Sequence, residues 1–146
     1  MTTIALKEGI IASDTQITWG NVPGYAHKIH IIGDIVLAFA GQVEAEGWIL
    51  AKYNGELVEF PKKKKFELLK VENKKVYWAQ NNLNFAPVDG YYALGSGWEV
   101  AMGAMLCGKS AQEAVVAASK LNVWTNDVVD TYNIKTKKLT LAEFPK

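Results

Sequence analysis

Removal of Met1 would leave Thr2 with a hydroxyl nucleophile and a free α-amine in one residue. An α-amino group titrates at about 7.7–8.0, so near neutral pH a useful fraction is unprotonated. It could take the hydroxyl proton through a water. A lysine close by would disfavour that proton and help hold the alkoxide, and its ammonium would need a carboxylate partner. Standing alone, a Met-Thr start is a weak signal.

Other chemistry-bearing residues point away from catalysis. His27 and His30, three apart beside a predicted strand, should face opposite sides, with no cysteine or carboxylate cluster to complete a metal site. Gly95-Ser96-Gly97 lacks the lysine of a phosphate loop and the glycine spacing of a nucleophile elbow. Cys107 sits in an apolar helical stretch and is expected in the core.

Composition narrows the partners. The chain has 146 residues, 49% hydrophobic and 21% charged, which suits one globular domain over residues 1–146. One cysteine excludes a disulfide framework and a cysteine-built zinc ribbon. Net charge is +1, and all 16 basic residues are lysine. The absence of arginine argues against bidentate reading of phosphate or guanine, so no nucleic-acid partner is expected. The N-terminal stretch does not read as a targeting segment, and the apolar run Ile35–Ala40 is too short to span a bilayer. A soluble protein in a reducing, cytoplasmic setting is expected.

The elements that must position Thr2 follow from pattern. Thr3–Leu6 and Gly9–Ser13 read as strands parted by Lys7-Glu8, and Gly20–Gly24 as a turn cluster. Lys28–Ile32 and Asp34–Ala40 read as strands, the second apolar enough to be buried on both faces. Gly41 ends it, and Val43–Tyr53 is a short helix. The lysine run 62–65 after Pro61 reads as solvated surface. Phe66–Val71 and Lys75–Ala79 form a hairpin, with Asn81–Asn84 as polar loop and Tyr91–Leu94 as a strand. Two helices follow; the second is capped by Ser110 with Glu113 three residues on. Asp127–Ile134 and Lys138–Leu141 close the chain as a hairpin. Two sheets between helices would bury these faces.

Several segments together resemble proteasome β-type subunits, with the bacterial HslV-type threonine peptidase nearest. They are Thr2-Thr3-Ile4-Ala5, Gly9–Gln16, Gly20, His27-Lys28-Ile29, Val36–Gly41, Ala93–Gly97, Ser110–Ala114 and Trp124-Thr125-Asn126. Their order and spacing carry the resemblance. It implies an α+β N-terminal nucleophile hydrolase, a four-layer αββα sandwich. Thr2 would be the nucleophile and its amine the base. Asp14 would orient Lys28, Gly41 would offer its N–H to the oxyanion, and Ser96 would hydrogen-bond near the threonine amine. No cofactor would be required. HslV-type chains bind a cation on backbone carbonyls, at positions matching Ser119, Asn122 and Thr125; either a monovalent or a divalent ion would fit.

The chain departs from the pattern in two places. Asn122 stands three residues before Thr125 where proteasome subunits carry an aspartate before a serine; HslV-type chains also lack that carboxylate. Between Gly41 and Phe66 the family holds two long helices, and here one short helix fits, so the first helix layer is reduced. The uncovered sheet face and the group Trp48, Ile49, Leu50 and Tyr53 are expected to meet another copy of the chain. The resemblance thus implies a homo-oligomeric ring cleaving peptides or unfolded proteins, with an ATPase unfoldase as partner. Two other readings stand beside it: a catalytically silent assembly protein that keeps Met1, compact as a phage version would be, and a small-molecule amidohydrolase.

Overall fold

A computed structural model describes residues 2–19, 21–59 and 65–146. Its first third holds β1 (Thr3–Lys7), β2 (Ile10–Asp14), β3 (Gln16–Trp19), β4 (Val22–Tyr25), β5 (Ile29–Ile32) and β6 (Ile35–Gly41). Helix α1 (Val43–Tyr53) follows, then β7 (Phe66–Glu72), β8 (Lys75–Gln80), β9 (Ala86–Pro87) and β10 (Tyr92–Gly95). Helices α2 (Trp98–Leu106) and α3 (Ala111–Leu121) precede β11 (Val129–Asn133) and β12 (Lys138–Thr140). Met1, Gly20, Pro61 and Lys62–Lys64 lie outside the described residues, and with them most of the expected lysine surface.

Two five-stranded sheets run in the orders β10-β1-β2-β11-β12 and β5-β6-β7-β8-β9, with every pairing antiparallel. Tight turns set the registers. Glu8 and Gly9 (φ 51° and 76°) join β1 to β2, and Asn73 and Lys74 (φ 52° and 61°) join β7 to β8. Positive φ at both central residues matches the twist of a two-residue hairpin.

Three apolar interfaces hold these elements. Ile4, Leu6 and Ile11 of one sheet meet Val36, Ala38 and Leu69 of the other. The opposite face of the first sheet, at Ala5 and Ala12, packs on Ala101 and Met105 of α2 and Ala114 and Val115 of α3. The opposite face of the second, at Leu37, Phe39 and Leu68, packs on Ala45 and Ile49 of α1. Strand β6 is therefore buried on both faces, as its sequence predicts. In α3, Ser110 Oγ accepts from Glu113 N–H while Glu113 accepts from Ser110 N–H.

Some expectations need correction. Lys7 is no spacer but the buried end of β1. Its Nζ donates to the carbonyls of Met105 and Lys109 at 3.1 and 2.7 Å, over the Tyr91 ring. Met105 lies in the last turn of α2, where a cation is favoured, and Lys109 lies just past that helix. Val22-Pro23-Gly24 is strand rather than turn; Pro23 is tolerated because β3 and β4 form an isolated two-stranded ribbon. Cys107 is exposed just past α2 rather than in the core. Around α1, Ile49 is buried, and Trp48 and Tyr53 lie partly buried against the sheet. Leu83, from the loop expected to be merely polar, and Phe85 just after it pack onto the same cluster. They cover sheet surface beside the short helix. No described helix is long and apolar enough to cross a membrane.

Candidate active site

The ribbon of β3 and β4 explains why residues fourteen apart in sequence meet. Gln16 pairs with Tyr25, and Ala26 N–H donates to the Thr15 carbonyl at 2.7 Å. The excursion thus closes at its base, and the chain resumes beside the point where it left. Asp14 ends β2 on one side of that base, and Lys28 precedes β5 on the other. Lys28 Nζ donates to Asp14 Oδ1 at 3.0 Å, with Asp14 fully buried and Lys28 4% exposed.

Asp14 is a hub of donors. Thr3 N–H reaches Oδ1 at 3.0 Å across the β1–β2 hairpin, while Gln16 N–H and Asn126 N–H reach Oδ2 at 3.2 and 3.4 Å. Burial pushes its carboxyl above the usual aspartate range, opposed by the charge and hydrogen bond of Lys28 and the backbone donors. Burial likewise pushes the Lys28 ammonium below the usual lysine value of 10.5, opposed chiefly by Asp14.

Thr2 precedes β1 and is 4% exposed. Its carbonyl accepts from Ser96 N–H at 2.7 Å and from Ser96 Oγ at 3.4 Å. Ser96 therefore grips the residue through its carbonyl. The turn comes this close because Gly95 (φ 89°) has no side chain; a Cβ there would run into the Thr2 carbonyl oxygen. Gly41 is similarly constrained at the end of β6. It has φ 148°, and a Cβ would lie 2.6 Å from the Lys65 carbonyl oxygen and 2.7 Å from Phe66 Cα.

Two cavities meet at Thr2. One, of about 620 Å³, is lined by Thr2, Lys28, Gly41, residues of the ribbon and the first turn of α1. The other, of about 270 Å³, is lined by Thr2, Gly41, Gly95, Ser96 and Trp98. Thr2 and Gly41 border both cavities, with Lys28 on the larger and Ser96 on the smaller, and Asp14 stands behind Lys28. Such an arrangement offers a hydroxyl, a cation held in place and a strand-end backbone around one point.

The last turn of α3 and the segment that follows it make contacts within the protein. Ser119 Oγ donates to the Val116 carbonyl at 2.5 Å, and the Asn122 carbonyl accepts from Thr125 N–H at 3.2 Å. Asn122 Oδ1 accepts from Trp124 N–H, and the hydroxyls of Thr125 and Thr3 lie 2.7 Å apart. Nothing in this donor set singles out a cation. Among the described residues, no group of three or more His, Cys, Asp or Glu side chains is placed to hold a metal. His27 and His30 each have a separate carboxylate: Asp130 and Glu46, both at 2.6 Å. The Thr3–Thr125 contact and the Asp130 and Glu46 pairings were not legible in sequence, since contacts across more than a hundred residues, or from strand to helix, leave no spacing signature.

No protein-family model matches the chain, and no curated protein matches it either. Solved structures do. BPH from Thiobacillus denitrificans superposes with a TM-score of 0.69 at 21% identity, covering 90% of this chain and 95% of that one. Eukaryotic HslV from Trypanosoma brucei does so with a TM-score of 0.67 at 20% identity, covering 89% and 96%. The chain has the HslV fold. BPH in complex with epoxomicin matches as well, at TM-score 0.65 and 20% identity over 90% of this chain. The HslV-like fold accounts for the mixed architecture of three described helices and antiparallel sheets. It also agrees with the sequence resemblance, which runs through both sheets and α3.

Proposed function

We propose that residues 1–146 form one shortened, proteasome-like domain that acts as a threonine-type peptidase once Met1 is removed. The observation that carries this reading is the position of Thr2 at the junction of two cavities, bordered by Lys28, Gly41 and Ser96. The three apolar interfaces support a helix–sheet–sheet–helix stack, the four-layer sandwich with α1 as its reduced first layer.

The α-amine of Thr2 takes the Oγ1 proton through a water, and Oγ1 attacks the carbonyl carbon of the substrate. The oxyanion is held by Gly41 N–H; one fixed donor of this kind contributes about 2.7–4 kcal/mol. Lys28, kept charged by Asp14, disfavours the proton on the amine and stabilises the developing charge. The ammonium returns its proton to the leaving amine, giving an acyl ester on Thr2. Water, deprotonated by the same amine, then cleaves the ester and releases the acid. Substrates are peptides or unfolded chains, processed in a homo-oligomeric ring fed by an ATPase unfoldase.

The test is peptide hydrolysis by protein whose intact mass shows loss of methionine, compared with Thr2→Ala. The reading requires turnover by the first and none by the second, with both equally folded by circular dichroism. Equal turnover, or none from the processed protein, would overturn it. The second outcome would favour the silent assembly protein; cleavage of small amides but not peptides would favour the amidohydrolase.

A further inference from the structure

Thr2 and Gly41 stand on different sheets. Thr2 precedes β1 of the first sheet and is gripped by Ser96, just after β10, whereas Gly41 ends β6 of the second. Attack by Thr2 and capture of the oxyanion at Gly41 therefore depend on how far apart the two sheets stand at this end. Apolar packing between them is not directional and does not by itself fix that spacing.

One side chain crosses the gap. Glu67 lies on β7 opposite Ala40, one step along the register from the Gly41–Phe66 pair. It shares the face of Leu69 and Val71, which turn toward the first sheet. Its Oε1 accepts from Gly95 N–H at 3.3 Å, and its Oε2 accepts from Trp78 Nε1 on β8 at 3.2 Å. The Trp78 ring in turn packs against Tyr92 of β10, with centroids 5.9 Å apart. Register explains why the Gly95 amide is free to be taken. Gly95 faces Thr3, while the bond to the N-terminal segment runs from the next residue, Ser96 N–H, to the Thr2 carbonyl. A residue so placed turns its own N–H away from the partner strand. Among the described residues β10 is the outer strand of its sheet, so the Glu67 carboxylate meets an edge donor, with a charge-assisted bond.

We propose that Glu67 is a positioning residue for the reaction at Thr2. Its carboxylate ties the Gly95–Ser96 turn to the strand beside Gly41 and so fixes the gap between nucleophile and oxyanion donor. The proposal rests on the peptidase reading for the reaction, and on the two Glu67 hydrogen bonds alone for the tie. Glu67 moves no proton, and it reaches Thr2 only through Gly95 and Ser96. Trp78 holds one carboxylate oxygen, which keeps the other aimed at Gly95 rather than into the smaller cavity that Glu67 also lines. A misplacement of about 1 Å at a reacting centre costs on the order of 10²-fold in rate. Loss of the tie should therefore appear in kcat rather than in KM.

The tie has a spectroscopic signature in the unaltered chain. Followed by NMR through an acid titration, the Gly95 amide and the Trp78 indole N–H should shift together as one carboxylate gains its proton, and Glu67→Gln should abolish that shared step. Signals that move independently, or that still move together in Glu67→Gln, overturn the proposal. Glu67→Leu removes both acceptors and should displace the Ser96 and Gly41 amide resonances along with that of Gly95; a change confined to Gly95 overturns the positioning role. In processed protein, Glu67→Leu should lower kcat roughly ten- to hundredfold on a fluorogenic peptide, with KM close to that of the parent. Glutamine keeps an acceptor for Gly95 but sets its own N–H₂ group against the Trp78 indole. Glu67→Gln should therefore recover turnover when joined to Trp78→Phe, and Glu67→Leu should not. An unchanged kcat, or a rise in KM alone, refutes this inference and leaves the peptidase reading standing. No turnover from the processed parent refutes the peptidase reading, and the resonances then decide the tie.

Discussion

Asp14 Oδ1 lies 3.0 Å from Lys28 Nζ and 3.0 Å from Thr3 N, so one buried oxygen ties the lysine to the residue that follows Thr2. The position of the lysine relative to the N-terminus is thereby fixed by a single carboxylate, and so is the backbone that carries the threonine.

Removing one member of this pair should be costly. Lys28→Met leaves a buried carboxylate without its cation and is expected to lower stability by about 3–5 kcal/mol. Adding Asp14→Asn should restore a large part of that loss while leaving peptide hydrolysis abolished. Urea denaturation of the single and double variants checks the first statement, and turnover on a fluorogenic peptide checks the second.

The rate should depend on pH as a bell. Protonated, the α-amine cannot act as base; since Lys28 disfavours that proton, activity should rise with pH on an acid limb below the ordinary α-amine range of about 7.7–8.0. Burial lowers the Lys28 value below 10.5, so its charge is lost earlier than for an ordinary lysine. Activity should therefore fall on an alkaline limb lying below 10.5. A profile of kcat/KM from pH 6 to 11 on processed protein decides it; a plateau continuing past the ordinary lysine range would remove Lys28 from the chemistry.

Gly95 and Gly103 should respond to substitution in opposite directions. Gly95→Ala forces a side chain into positive φ and against the Thr2 carbonyl, with a loss of about 1–3 kcal/mol from the backbone alone. Hydrolysis should fall as well, since the clash displaces Thr2. Gly103→Ala, in an exposed helical position with open space around the new methyl, should gain about 0.5–1 kcal/mol. Thermal melts of the two variants provide the comparison.

Assembly is testable separately from catalysis. The proposed ring predicts a native mass well above that of one chain in light scattering at micromolar concentration, and a strict monomer would exclude the chamber. Leu57, fully exposed just after α1 and away from the cavities at Thr2, is an apolar position where substitution by lysine should weaken such an assembly first.

Much of the fold was legible because its signals are local. The limits of α1, the cap at Ser110 and the double-sided burial of β6 follow from capping residues and unbroken apolar runs. What escaped depended on distant partners. Nothing near Lys7 announces that the carbonyls of Met105 and Lys109 lie over it. Val22-Pro23-Gly24 has turn composition, and only the absence of a neighbouring strand beyond the ribbon lets it extend. Asp14 and Lys28 were paired through resemblance alone; the ribbon that joins them has no pattern that predicts its closure. Glu46 was passed over because an acidic first turn is ordinary in a helix, and its bond to His30 on β5 crosses from helix to strand with no spacing signature.

The buried lysine at the far end of β1 has a consequence for motion. Chain termini usually fray, opening and closing at almost no free-energy cost. Here the first strand is fastened at both ends, by Asp14 and Thr125 at Thr3 and by the carbonyls of Met105 and Lys109 at Lys7. Amide hydrogens from Ile4 to Leu6 should then exchange with deuterium only when the whole protein unfolds. The segment nearest Thr3 would be among the slowest to open, which holds the proposed nucleophile still through contacts within the chain.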